Sequence, residues 1–164
     1  MKSRGCLILR IILLVGMFST LLFTFNQSLL PPEESSQVSD DVQSFLDAII
    51  PPDTPIGEFV HDNIRKIAHF TEYCVLGLFV SVYVVIFMPK IDSLPKERVR
   101  FLIYSFILAP IIGLFDETLQ IFSGRGPAIA DVWLDTTGFF TSAAIVYAVF
   151  YTVSFIKRKI NETT

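Results

Sequence analysis

Four stretches of this 164-residue chain are long and apolar enough to cross the hydrocarbon of a bilayer, which takes about 20 residues of helix. They run from about Leu7 to Phe25, Ile67 to Met88, Phe101 to Phe122 and Val132 to Ile156. Pro31-Pro32, Pro51-Pro52, Pro89 and Pro95 punctuate the segments between them. Hydrophobic residues make up 52% of the chain and charged residues only 18%, against the roughly 25% charged of soluble domains, so a water-soluble core is excluded. The expected fold is therefore an all-α membrane protein, a bundle of four transmembrane helices. The first stretch has a basic flank (Lys2, Arg4), but its apolar run exceeds that of a signal peptide and no A-x-A pattern follows Phe25, so a retained anchor is expected.

Lys and Arg set the orientation. Lys2, Arg4, Arg10, Lys90, Lys96, Arg98, Arg100, Lys157, Arg158 and Lys159 fall on one side, and only Arg65, Lys66 and Arg125 on the other. Ten against three places both termini in the cytoplasm. The expected organisation is a tail and first span (1–25), an extracytoplasmic segment (26–62), a three-span core (63–156) and a cytoplasmic tail (157–164). No basic tract suits nucleic acid.

The extracytoplasmic segment is acidic, yet Val42, Phe45, Leu46, Ile49 and Ile50 repeat at helical spacing. This predicts a short external amphipathic helix, N-capped by Ser39 or Asp40, stopped by Pro51-Pro52 and packed on the bundle. A further helical stretch from about Ile56 is expected to run into the second span.

Ionisable side chains inside a membrane are costly and generally face the bundle interior. Here they cluster. His69 and Glu72 are three apart on the second span, with Tyr73 and Leu76 extending the stripe inward. Asp116 and Glu117 both reach Gln120 on the third span, and Asp131 and Asp135 are four apart on the fourth. At 1.5 Å per residue His69, Glu72, Asp116, Glu117, Gln120 and Asp135 lie roughly 3–9 Å inside the outer ends of their spans, all at one level. An acid-rich pocket shared by three helices is the expected outcome. His69, Glu72, Asp116 and Glu117 are the candidate catalytic residues. Lys66, Tyr73, Gln120, Arg125, Asp131 and Asp135 are the candidate ligand-binding residues. Arg65 and Lys66 suit headgroup contacts, and Tyr73 and Trp133 suit the interfacial aromatic belt.

The residues carry a family resemblance. His69-Phe70-x-Glu72-Tyr73-x-x-Leu76-Gly77 resembles the first motif of the VanZ-like family. Asp116-Glu117-x-x-Gln120-x-Phe122-x-Gly124-Arg125 resembles its second, and Asp131-Val132 with Gly138 its third. The resemblance spans about residues 60–145, and it implies a multi-pass protein of the bacterial cell membrane. The family's named member is associated with resistance to the lipoglycopeptide teicoplanin. The chain departs from the pattern at Asp135, where the family usually has Asn, and at Ser142, which replaces a glycine and still permits close helix packing.

Three functions compete on this reading. The first is a cell-envelope binding protein for a lipid headgroup, a cell-wall lipid intermediate or an amphiphilic antibiotic. The second is a membrane enzyme on the same substrates, with His69 or an acid as general acid/base and Arg125 holding a phosphate. The third is a small transporter, disfavoured because the inner halves of the spans lack polar residues. Set against all three is a plain ion-pair network that fixes helix register. No HxxH, HExxH or cysteine ligand set is present, so no cofactor is expected and no metal ligand is assigned. One histidine among carboxylates nevertheless suits a hard or borderline divalent cation. The expected partners are membrane lipids and a lipid-linked precursor or lipoglycopeptide.

Overall fold

A computed structural model describes residues 2–87 and 95–163, with side chains described for 4–87 and 107–162. Lys90 and Pro89, and the side chains of Lys2, Lys96, Arg98 and Arg100, on which part of the charge tally rests, lie outside these. The described chain is all helical: α1 (Lys2–Ser28), α2 (Pro32–Asp47), α3 (Pro55–Phe87), α4 (Pro95–Phe122) and α5 (Ile129–Thr163). Among the described residues three helices are long and apolar enough to cross a membrane: Arg4–Ser28, Pro55–Phe87 and Ile129–Glu162. The helices outrun the apolar stretches because polar flanks continue the helix. α5 passes through Lys157–Lys159, where Arg158 pairs with Glu162 at 3.0 Å.

The long helices pack in a ring, α1 on α3, α3 on α5, α5 on α4 and α4 on α1, with α3 and α5 in the most extensive contact. Ser123 at the end of α4 donates to the Ser28 carbonyl at the end of α1 (2.9 Å), so those two helices run the same way. α3 and α5 run the opposite way. Small residues let this second parallel pair close. A Cβ at Gly138 would lie 2.4 Å from the Phe70 carbonyl oxygen, and one at Gly77 2.5 Å from that of Phe139. Ser81 and Ser142 sit four residues on from the two glycines and are buried, giving a small-xxx-small pattern on both helices. The Cys74 thiol donates to the Gly138 carbonyl at 3.1 Å, consistent with a packing role. Tyr73, Leu76, Ala109 and Phe139 form the core, with Met17, Leu21 and Ile112 against it. Most of the remaining large apolar side chains on α1 and α5 point outward, as lipid-facing side chains do.

Three local expectations need correction. α2 begins at Pro32, seven residues before the predicted cap at Ser39, and no side chain caps it. Proline at its first position presets φ, and Glu33 and Glu34 complement the helix dipole, so a cap is dispensable. Ser39 instead bonds back to the Ser35 carbonyl inside the helix. α2 also ends at Asp47, before Ile49 and Ile50. Val42 and Leu46 line the groove toward α1 and α3, Val42 still partly open to its surroundings, while Phe45 and Ile49 are the most exposed of the four. Finally, Tyr73 belongs to the core at 1% exposure rather than to an interfacial belt, because it lies on the α3 face turned toward the ring's centre. Trp133 is exposed, as a belt residue would be.

The stretch expected to lead into the second span is continuous with it in α3. Thr54 caps the start by accepting the Gly57 N–H at 3.1 Å, with Pro55 next in sequence. Asn63 (φ −124°, ψ 16°) kinks the helix two residues before the polar segment begins.

Candidate functional site

α4 ends in a Schellman motif. Gly124 takes φ +78°, the left-handed conformation that a side chain resists. The Arg125 N–H then reaches the Gln120 carbonyl at 2.9 Å and the Gly124 N–H that of Ile121 at 3.2 Å. This turn brings Arg125 back over the helix end, where its guanidinium donates to the Gln27 carbonyl of α1 at 3.3 Å.

Glu117 anchors the same turn. One oxygen accepts the Ala128 N–H at 2.7 Å, just before α5, and the other accepts the Gln120 amide at 2.5 Å. Both oxygens are thus engaged, one holding α4 to the start of α5 and the other bonded within α4. Asp131 lies inside the first turn of α5, where its N–H bonds the Ala128 carbonyl at 2.9 Å. The side chain that satisfies the α5 terminus is Glu117, reached across the turn.

Below the turn, three helices converge. His69 of α3 has Nδ1 3.6 Å from an Asp116 oxygen of α4 and 3.8 Å from an Asp135 oxygen of α5. Both aspartates are 0% exposed, and the His69 side chain is 14% exposed. Ser28 of α1 donates to the other Asp116 oxygen at 2.7 Å. His69 Nδ1, Asp116 Oδ2 and both oxygens of Asp135 have no hydrogen-bond partner.

Above this cluster opens a cleft of about 340 Å³ lined by Arg65, Lys66, His69, Gln120, Arg125 and Asp131, together with Pro32, Gly124 and Gly126. Its lining is cationic, and the acids Asp116 and Asp135 of the expected pocket lie beneath it. Asp131 is the one acid in the lining, and three cations surround it. Among the described residues none of the three cations makes an ion pair, and Arg65 donates to the Ser36 hydroxyl of α2 at 2.9 Å. Burial pulls Arg125 below the ordinary guanidinium value, and Arg65 adds to the effect against the opposing pull of Asp116, Glu117 and Asp131. A cation held away from water beside like charges gains from an incoming anion.

The sequence candidates therefore divide by place. Lys66, Gln120, Arg125 and Asp131 line the cleft, His69 forms its floor, and Asp116 and Asp135 lie beneath. Glu117 serves the turn, and Tyr73 is in the core with its hydroxyl unpartnered. Glu72 stands apart from the His69 cluster. It lines a second, mostly apolar groove of about 570 Å³ with Phe23, Val42, Leu46, Ile64 and Ile67, between α1, α2 and α3.

Sequence reasoning missed the contribution of α1. Thr24 and Ser28 are both buried, Ser28 bonds Asp116, and Thr24 hydrogen-bonds to Glu72. Their four-residue spacing on one helix face was the available signal, but hydroxyls are common in membrane helices and stand out far less than charges.

A family model described as VanZ/LLP1 matches residues 6–151. No curated protein and no solved structure matches the chain.

Proposed function

The chain belongs to the VanZ/LLP1 family, and from that premise we propose a four-span membrane protein that binds the anionic headgroup of a lipid or lipid-linked cell-wall intermediate at the outer leaflet. The observation that carries this is the cleft, where Arg65, Lys66 and Arg125 converge and, among the described residues, make no ion pair. Phosphate oxygens are the natural complement to such donors, arginine engaging two at once. The groove between α1, α2 and α3 borders the same segment of α3, residues 64–75, and its apolar lining suits an acyl or prenyl chain. Headgroup and chain would thus straddle α3.

The fourth span is α4. Its 28 residues give about 42 Å of helix, more than the hydrocarbon thickness, and it packs in the ring as an equal of the other three. With the cytoplasmic ends set by lysine and arginine, the cleft faces outward and α2 lies on the outer surface, with exposed Phe45 and Ile49 for the lipid interface.

The test is titration of the purified protein with short-chain phospholipids that differ only in headgroup. Anionic headgroups should bind more tightly than neutral ones. Arg125→Gln and Lys66→Gln should each weaken the anionic lipid and leave the neutral one unchanged. Equal binding of both lipids by all three proteins would refute the proposal. A second reading, a membrane enzyme, is favoured by one observation: His69 lies between the cleft and two buried carboxylates, positioned to move a proton. Product formed from a lipid-linked phosphate, lost in His69→Gln with binding intact, would select it.

A further inference from the structure

We infer that His69, Asp116 and Asp135 bind one divalent metal ion of the manganese or zinc type. One donor from each of α3, α4 and α5 converges, and the three lie within 4.8 Å of one another. Ligands around such an ion sit about 2.0–2.2 Å from it, which separates neighbouring donors by about 3.0–3.5 Å. The two His69 separations, 3.6 and 3.8 Å, exceed that by a few tenths of an ångström, a movement within reach of side-chain torsions.

Convergence alone would describe any acidic cluster. The unpartnered atoms distinguish this one. Asp135 is 0% exposed and neither of its oxygens has a hydrogen-bond partner. Asp116 keeps one oxygen for Ser28 and leaves the other, the one facing His69, without a partner. His69 Nδ1 is likewise unpartnered. Buried polar atoms are nearly always satisfied, and among the described residues none of the cleft cations Arg65, Lys66 and Arg125 pairs with these ones. A divalent ion satisfies all of the facing atoms together. Two carboxylates, a neutral imidazole and a doubly charged cation sum to zero, the balance that a low-dielectric interior requires.

The donor set selects the ion. Calcium prefers six to eight oxygen ligands, and magnesium keeps most of its water. One imidazole nitrogen with two carboxylates suits manganese or zinc. Ligation through Nδ1 fixes the His69 proton on Nε2. The buried Tyr73 hydroxyl, one helical turn further along α3, is available to donate to a ligating carboxylate. The site shares His69 with the floor of the cleft, but none of its three donors is among the cleft's cations, so metal binding and headgroup binding are tested by different variants.

The full chain, purified in detergent and stripped with a chelator that is then removed, would be titrated with Mn2+ and followed by electron paramagnetic resonance. About one Mn2+ per chain should bind, be displaced by Zn2+, and raise the unfolding temperature. Asp135→Asn and His69→Gln should weaken binding at least about tenfold. Asp40→Asn, at an exposed position on α2, should bind like the wild type. The metal-free Asp135→Asn protein should unfold no earlier than metal-free wild type, because an orphaned buried carboxylate has been replaced by a neutral amide. Absence of a displaceable Mn2+ from the wild type, or retention of it by Asp135→Asn, would overturn the assignment.

Discussion

Replacing Gly138 by alanine sets a Cβ 2.4 Å from the carbonyl oxygen of Phe70 on the neighbouring helix. That oxygen belongs to backbone, so no side chain can swing aside, and α3 and α5 must part by about 1 Å to restore ordinary contact. Overpacking of this size costs about 1–3 kcal/mol. The same displacement should spread the site, because Gly138 is three residues from Asp135 and its contact is adjacent to His69. Unfolding by sodium dodecyl sulfate in mixed micelles, read by far-ultraviolet circular dichroism, measures the loss. Gly77→Ala makes an equivalent clash with the Phe139 carbonyl at 2.5 Å on the same interface. One separation of the helices relieves both contacts, so the double variant should lose clearly less than the sum of the singles. Ser142→Ala, which adds no atoms, should cost less than either. Wild-type stability in Gly138→Ala, or strict additivity in the double variant, would refute the close α3–α5 contact on which the geometry of the site depends.

Glu117→Ala removes the carboxylate that accepts the Ala128 N–H at 2.7 Å, and should cost about 1.5–3 kcal/mol while raising hydrogen exchange and protease cleavage at the turn between α4 and α5. Gly124→Ala forces a side chain into φ +78°, with an expected loss of about 1–2 kcal/mol in the same unfolding assay and weaker binding through Arg125. For topology, a reporter inserted at residue 40 should read as extracytoplasmic and one at residue 95 as cytoplasmic; the reverse pattern would invert the proposed orientation.

Much of the site was legible because charge inside an apolar run is conspicuous and helical rise converts position into depth. That arithmetic put His69, Asp116 and Asp135 at one level, and they meet. What it could not decide was direction around the helix. Asp116 and Glu117 are neighbours about 100° apart. One turns to His69 and the other to the α5 terminus, a choice made by the Schellman turn and the position of Ala128. Glu72 and His69 share a helix stripe three residues apart, yet Glu72 meets α1 and His69 meets α4 and α5, because α3 is packed on both sides. The long helices were evident from hydropathy, whereas α2 was misplaced at both ends. Its start is fixed by proline geometry and dipole complementarity rather than by a capping side chain, which pattern reading favours. That Lys66 and Arg125 belong to the pocket was legible; that they and Arg65 line its opening while Asp116 and Asp135 lie beneath was not, for a related reason. Arg65, Lys66 and Arg125 flank the apolar runs and look like ordinary headgroup anchors until the turn and the kink at Asn63 bring them around one opening.

The central claim is that an anionic headgroup sits among the cleft's cations. Solid-state magnetic resonance can measure dephasing of arginine guanidinium 15N by lipid 31P, with the protein embedded in anionic phospholipid. A guanidinium–phosphate contact at about 4 Å is predicted in the wild type, with dephasing clearly reduced in Arg125→Lys, where Arg65 still contributes. Identical dephasing in the two proteins would mean that Arg125 meets no phosphate in the cleft, and would contradict the account.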